Sequence, residues 1–296
     1  MRGADLIRLV ALAAIWGGSF VSIRVIAEPL GPLWTAGGRV MIAAIALAGW
    51  LALIGVRSDV RKHWFAYFFA GIVGSALPFV LFAFAALTLP ASYMAILNAL
   101  SALFAALLAA LVLNDRFTLA KLAGIACGIG GVALVSGAGA LAFDRSVAIA
   151  ILASVAAAFC YAVSSVWLKR NGAALDPRAV AANSQLAGGI VLLPPALLAP
   201  PPGPVTALVL VNLVALALLS SGIAYVLYFR LIRDIGPTRT LTVTFLLPAF
   251  GMLFGALFLH ETITLPMLGG AALILAGGWL VLRPTRAPIR AIAEQR

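Results

Sequence analysis

Residues 92–135 read SYMAILNALSALFAALLAALVLNDRFTLAKLAGIACGIGGVALV. An apolar segment runs into a short polar knot, Asn114-Asp115-Arg116. A second apolar segment follows, carrying Gly124, Gly128 and Gly131. The arrangement returns 146 positions later, at residues 238–281, as TRTLTVTFLLPAFGMLFGALFLHETITLPMLGGAALILAGGWLV. Asp115 falls on Glu261, Thr118 on Thr264, Phe104 on Phe250, Gly124 on Gly270 and Gly131 on Gly277. A repeat this long fixes architecture before any single motif does, because each copy is one structural unit. The chain was built twice.

The same alternation of apolar run and punctuation extends in both directions. Only 10% of the 296 residues are charged and 64% are hydrophobic, whereas a soluble domain carries roughly 25% charged residues. About 20 apolar residues cross the ~30 Å hydrocarbon layer as a helix. Ten such runs are expected, at 6–26, 33–55, 65–88, 92–113, 119–138, 147–168, 179–198, 207–229, 238–259 and 264–282. The fold class is therefore an all-α integral membrane protein with ten transmembrane helices. Pro29-Leu30-Gly31-Pro32, Leu89-Pro90, Pro200 to Pro204 and Gly236-Pro237 separate the runs, since proline lacks a helix donor and clashes with the preceding turn. The first run is long for a signal peptide and has no clear small-residue cleavage site, so it is read as a span.

The net charge of +11 does not point to nucleic acid. The basic residues stand singly or in small groups between apolar runs, which suits membrane lipid and topology instead. With the N-terminus in the cytoplasm, 17 basic residues lie on the inside, and Arg24, Arg39 and Arg145 remain outside. Both termini are thus expected to be cytoplasmic. Cys127 and Cys160 lie inside apolar runs and form neither a disulfide framework nor a metal spacing. No metal and no cofactor is expected.

The repeat covers five spans in each copy. Trp16 falls on Tyr161, Ser19 on Ser164, Ser75 on Ser221, Phe79 on Tyr225 and Phe82 on Tyr228. Five is odd, so the second copy enters the membrane from the opposite side. The expected division is 1–140 and 141–284 as two inverted five-helix repeats, with 285–296 as a basic cytoplasmic tail. Inverted repeats recur in secondary transporters, where two related halves exchange conformations about a central site.

Polar and aromatic residues at helical spacing mark interior faces. Trp16, Ser19 and Phe20 share one in the first span, and Tyr161, Ser164 and Ser165 in the sixth. Ser75, Pro78, Phe79 and Phe82 share one in the third, and Ser221, Tyr225 and Tyr228 in the eighth. Met94, Asn98 and Ser101 step along the fourth, and Thr240, Thr244 and Leu247 along the ninth. The candidate substrate-binding residues are Trp16, Ser19, Phe20, Ser75, Phe79, Phe82, Asn98, Ser101, Tyr161, Ser164, Tyr225, Tyr228 and Thr244. Rings would take a solute's apolar part; hydroxyls and amides would take its polar part. Any one serine has a second reading, a bond to its own backbone. Pro78 and Pro248 are expected to kink their helices, and the glycines of spans five and ten to let helices approach closely. No Asp or Glu sits mid-span, which argues against a carboxylate proton relay. The centre is also expected to lack Lys and Arg. His63 and His260 lie at span ends, so no intramembrane hydrolase is supported and the chain is read as a non-enzyme.

The Trp16-Gly17-Gly18-Ser19-Phe20 start, the knots at Asn114-Asp115-Arg116 and His260-Glu261-Thr262, and the five-plus-five plan resemble the drug/metabolite transporter superfamily. The resemblance is to its EamA-type family, and within that to the YddG-like amino-acid exporters. It covers residues 6 to 284. It implies export of amino acids, aromatic and other neutral ones included, and related metabolites by alternating access. It implies a cavity lined by spans 1, 3, 4, 6, 8 and 9, and a bacterial inner membrane location. The missing carboxylates suggest a uniporter or weak coupling. One chain holds both halves, so a monomer suffices. A multidrug or nucleoside-like metabolite exporter is the alternative cargo reading. Asp115 and Glu261 are expected to be structural caps, an acid near a helix N-terminus meeting the dipole favourably.

Overall fold

A computed structural model describes residues 3–112, 118–137, 144–236, 240 and 242–282. The knot Asn114-Asp115-Arg116, with the expected cap Asp115, lies outside the described residues, as do Pro237 and the basic tail. All secondary structure among the described residues is helical. Seven helical stretches are long and apolar enough to cross a membrane, and two shorter apolar helices accompany them.

Helix α1 runs from Gly3 to Leu53. The sequence separates this stretch into spans 6–26 and 33–55; the structure carries one hydrogen-bonded run with a break inside it. Gly31 stands at φ 74°, ψ 162° between Pro29 and Pro32. Only glycine takes that backbone conformation without steric cost, so two helical segments meet there. Helix α2 (Val60–Gly71) passes through a π-helical turn, Ile72–Ala76, into α3 (Leu77–Ala85). Helices α4 (Ala91–Asn98) and α5 (Leu100–Val112) are separated by Ala99 alone. Then come α6 (Leu119–Ser136), α7 (Arg145–Asn171) and α8 (Pro177–Leu198). Helix α9 (Ala207–Ala215) leads through a second π-helical stretch, Leu216–Ile223, into α10 (Ala224–Ile235). Helices α11 (Val243–Leu259) and α12 (Leu265–Leu282) close the chain.

Short polar side chains start these helices, as their geometry at an N-cap demands. Asp144 accepts from Val147 N at 2.8 Å and Asp176 from Arg178 N at 2.8 Å. Thr118 accepts from Lys121 N and its counterpart Thr264 from Met267 N, each at 3.4 Å. Pro78 falls in the first turn of α3, directly after the π-turn, where its missing donor costs least. Pro248 lies inside α11.

The glycine-rich helices α6 and α12 pack on each other. A Cβ at Gly124 or Gly131 would stand 2.7 Å from the carbonyl of Gly277 or Gly270, and the reverse substitutions would meet Gly124 and Gly131. Only hydrogen fits at these crossings. Elsewhere the two sequence copies interlock: α1 packs against α8 and α11, and α7 against α3 and α5.

Glu261 acts across the copies. Its Oε1 accepts from Ala91 N at 2.6 Å and its Oε2 from Ser92 N at 2.9 Å. It therefore caps α4, not α12, the helix that follows it. At the same end of the bundle Gly203 N donates to Pro29 O at 3.0 Å. At the other end Arg8 bridges Asp5 at 3.2 Å and Asp234 at 3.0 Å, tying α1 to α10.

Candidate functional site

A cavity of about 310 Å³ lies in the middle of the bundle. Of the thirteen residues expected from sequence, eleven line it: Trp16, Ser19, Phe20, Phe79, Phe82, Asn98, Ser101, Tyr161, Tyr225, Tyr228 and Thr244. Ser75 and Ser164 do not. Ser75 is buried behind the wall, where it accepts from Gln185 Nε2 at 3.3 Å. Both serines line an adjoining space of about 410 Å³, which shares Gly74, Tyr161, Ser165, Tyr225 and Tyr228 with the cavity. That space extends to Lys169, Gly172 and Pro177 at the α7–α8 end of the bundle.

The aromatic walls come in two related sets. Tyr161 packs against Phe79 and Phe82, with ring centroids 6.3 and 6.2 Å away. Trp16 packs against Tyr225 and Tyr228, at 6.5 and 5.6 Å. Each residue of one set corresponds to one of the other at an offset of 145 or 146. Phe20 closes on Phe82 at 5.3 Å. Such rings give a flat apolar surface with specific edge and face geometry.

The polar groups divide by how far they are already engaged. Ser19 donates to Trp16 O at 2.6 Å and Ser165 to Ala162 O at 3.0 Å. These hydroxyl protons are turned back on their own helices. Trp16 Nε1 donates to Ser220 O at 3.0 Å. Asn98 is different. It stands at the break between α4 and α5, and its Oδ1 is buried without a hydrogen-bond partner. An unpaired buried amide oxygen costs about 1–3 kcal/mol.

The largest departure from the sequence reading is Arg39. It was expected outside the membrane, and the centre was expected to hold no cation. Instead Arg39 is only 6% exposed, sits within α1 and lines the cavity. Arg39 lies eight residues past the break at Gly31, within the second helical segment of α1, where Phe79, Ser220 and Ser221 surround its guanidinium. Its guanidinium carbon lies 3.7 Å from the Phe79 ring centroid. Its Nε donates to Ser221 Oγ at 2.9 Å and its Nη2 to Ser220 Oγ at 3.4 Å. None of the ion pairs among the described residues includes it. Placing an arginine at a helix centre in a bilayer costs at least about 2.5–3.5 kcal/mol. A cation–π contact returns about 0.5–2 kcal/mol of that.

Arg39 has a partner in the repeat. It corresponds to Gln185, and Ser221, which accepts from Arg39, corresponds to Ser75, which accepts from Gln185. Arg39 lies on Phe79, whose counterpart in the second copy is Tyr225. Both serines lie in the π-helical stretches 72–76 and 216–223. A π-turn widens a helix by one residue per turn and recurs at functional sites. Ile23, Arg39, Gly74 and Ser220 are cavity residues that helical periodicity did not point to. The signal was available: two strongly polar residues, Arg39 and Gln185, occupy the same repeat position within apolar runs.

Among the described residues no Asp or Glu lines the cavity, and no cluster of His, Cys, Asp or Glu is arranged to hold a metal. The arrangement offers aromatic surface beside neutral polar groups and one guanidinium, the lining that suits a small amphipathic solute.

The sequence model of the EamA-like transporter family matches residues 5–137 and 148–283. A protein of Streptantibioticus cattleyicolor named "Probable terminal-alkyne amino-acid exporter" is 29% identical over 282 residues, covering 94% of this chain and 93% of that one. An uncharacterised transporter of Bacillus subtilis is 24% identical over 272 residues, covering 91% and 93%. A solved crystal structure superposes with a TM-score of 0.65 at 19% identity, over 95% of this chain and 96% of the other.

Proposed function

The chain belongs to the EamA-like transporter family, and from that premise we propose that it exports amino acids and related metabolites by alternating access. The observation that carries this reading is the cavity itself. Its two aromatic sets suit an apolar side chain. Arg39, Asn98, Ser101 and Thr244 suit the polar end of an amino acid. The relative from Streptantibioticus cattleyicolor bears an amino-acid exporter's name.

In this reading the helices form ten spans in two inverted repeats, with α1 counted as two spans meeting at Gly31. The reciprocal pairs Arg39–Ser221 and Gln185–Ser75 support it, as do Gly124–Gly277 and Gly131–Gly270. Each is what a two-fold relation between oppositely inserted halves predicts. Residues 1–140 and 141–284 are then the repeats, and a single chain completes the cavity. The termini and the α7–α8 end of the bundle face the cytoplasm of a bacterial inner membrane. The outer side carries only Arg24 and Arg145 once Arg39 is counted as buried, which sharpens the positive-inside asymmetry. The space adjoining the cavity then extends to the side from which an exporter loads. Without a lining carboxylate the transport is facilitated or weakly coupled.

Purified protein in liposomes, tested with a panel of labelled amino acids with and without an imposed pH gradient, checks this. Saturable flux of at least one apolar amino acid, little changed by the gradient, is expected. Absence of saturable flux for every amino acid refutes the substrate class. Steep dependence on the gradient refutes weak coupling.

A further inference from the structure

We infer that Arg39 makes the cavity a carboxylate site, so that its solutes are monocarboxylates with an apolar body, α-amino acids foremost. This rests on the transport reading above and narrows it.

The argument starts from unused hydrogen-bonding capacity. A guanidinium has five N–H donors in a planar fork. Arg39 spends two on Ser220 and Ser221. The other three have no partner among the described residues. The ring of Phe79 holds one face of the plane and the serines hold one edge. The fork is thereby pre-organised, and a bidentate carboxylate is the ligand its geometry matches. No protein carboxylate lines the cavity to compete for it among the described residues.

Charge count limits the ligand further. Arg39 is the one Lys or Arg among the described lining residues. A single positive charge balances a monoanion; a phosphate dianion would leave one negative charge buried. The repeat counterpart, Gln185, is neutral, donates its Nε2 to Ser75 and does not line the cavity. The anion subsite therefore lies on one wall only. Asn98 supplies the second, independent observation. Its buried, unpartnered Oδ1 accepts from an ammonium as well as from any donor, and nearby aromatic faces attract cations. A zwitterion carries a group suited to each, where a bare amine would meet the guanidinium's repulsion.

The test uses the purified full-length chain and three probes sharing one ring: L-phenylalanine, phenylacetate and phenethylamine. Equilibrium binding by calorimetry is expected to favour both acids over the amine by at least about tenfold. Arg39→Gln is expected to weaken both acids by at least about tenfold and to erase their advantage over the amine, and Arg39→Lys to restore part of it. The inference is overturned if the wild-type protein binds the amine as tightly as the acids, if it binds neither acid, or if Arg39→Gln keeps the acid preference. Should Arg39→Gln fail to fold, the wild-type preference between acid and amine decides alone. Flux of L-phenylalanine in liposomes separates this inference from the reading beneath it. Arg39-dependent acid binding without flux refutes the transport claim and leaves the subsite standing. Flux without acid preference does the opposite.

Discussion

Glu261 holds two distant parts of the chain together, and its removal gives a measurable prediction. Its carboxylate accepts from Ala91 N at 2.6 Å and Ser92 N at 2.9 Å. Both residues are 0% exposed, so water cannot replace the lost acceptor. In Glu261→Ala two buried N–H donors at the start of α4 lose their partners. Each such loss costs about 1–3 kcal/mol, and the favourable charge–dipole contact at the N-terminus, about 0.3–1 kcal/mol, goes with them. The total expected is about 3 kcal/mol. For a chain of this size about 1 kcal/mol shifts the midpoint by roughly 2–4 °C, so the thermal midpoint of detergent-purified protein should fall by about 6–12 °C. Glu261→Gln keeps one acceptor and turns an amide donor towards the second N–H, so it should recover less than half the loss. A midpoint for Glu261→Ala within about 1 °C of wild type would refute the claim that this cross-copy cap holds α4 in place.

Asn98→Leu removes the unpartnered amide and fills the space with apolar atoms; thermal stability should hold or rise by about 1 kcal/mol, while amino-acid flux falls at least about tenfold in the same preparation. Gly124→Val sets a Cβ 2.7 Å from Gly277 O, so the α6–α12 crossing must open and the melting midpoint should drop by the equivalent of about 1–3 kcal/mol. Asp176 caps α8, and its hydrogen bonds from the Arg178 side chain hold its carboxyl below the usual range. Its stabilisation is therefore present above the unfolded-state value of about 3.9 and is lost as pH falls through the lower folded-state value. Asp176→Ala should cost about 1 kcal/mol at neutral pH, and the difference from wild type should stay constant down to about pH 5 and vanish well below pH 4 in melts across that range.

The two π-helical stretches border the cavity through Gly74 and Ser220. They occupy related positions, 72–76 and 216–223, and carry the serines that receive Gln185 and Arg39. A π-turn relaxes to α-helix by shifting one residue in register. That shift would move Ser75 or Ser221 relative to its partner while the packed crossing of α6 and α12 stays fixed. The halves are chemically unequal at this point: a guanidinium in one, an amide in the other.

The sequence by itself determined that the chain carries long apolar membrane-spanning runs, that a pattern recurs in it 146 positions apart, and which faces of its helices are polar. Those properties follow from local composition and from the 3.6-residue period, which any helix obeys wherever it packs. Eleven residues expected on those faces do line one cavity, because a polar face in lipid has nowhere else to go. Only the tertiary structure decided the rest. Whether Arg39 lies outside the membrane or lines the cavity depends on Ser220 and Ser221, 181 and 182 residues away. Whether Ser75 faces the solute space or backs it depends on Gln185, 110 residues away. Glu261 looked like a cap for the helix after it, and it caps α4, in the other copy. Each of these is a contact between segments far apart in the chain. Periodicity reports the angle of a side chain about its own helix axis, and carries no information about which other helix it meets.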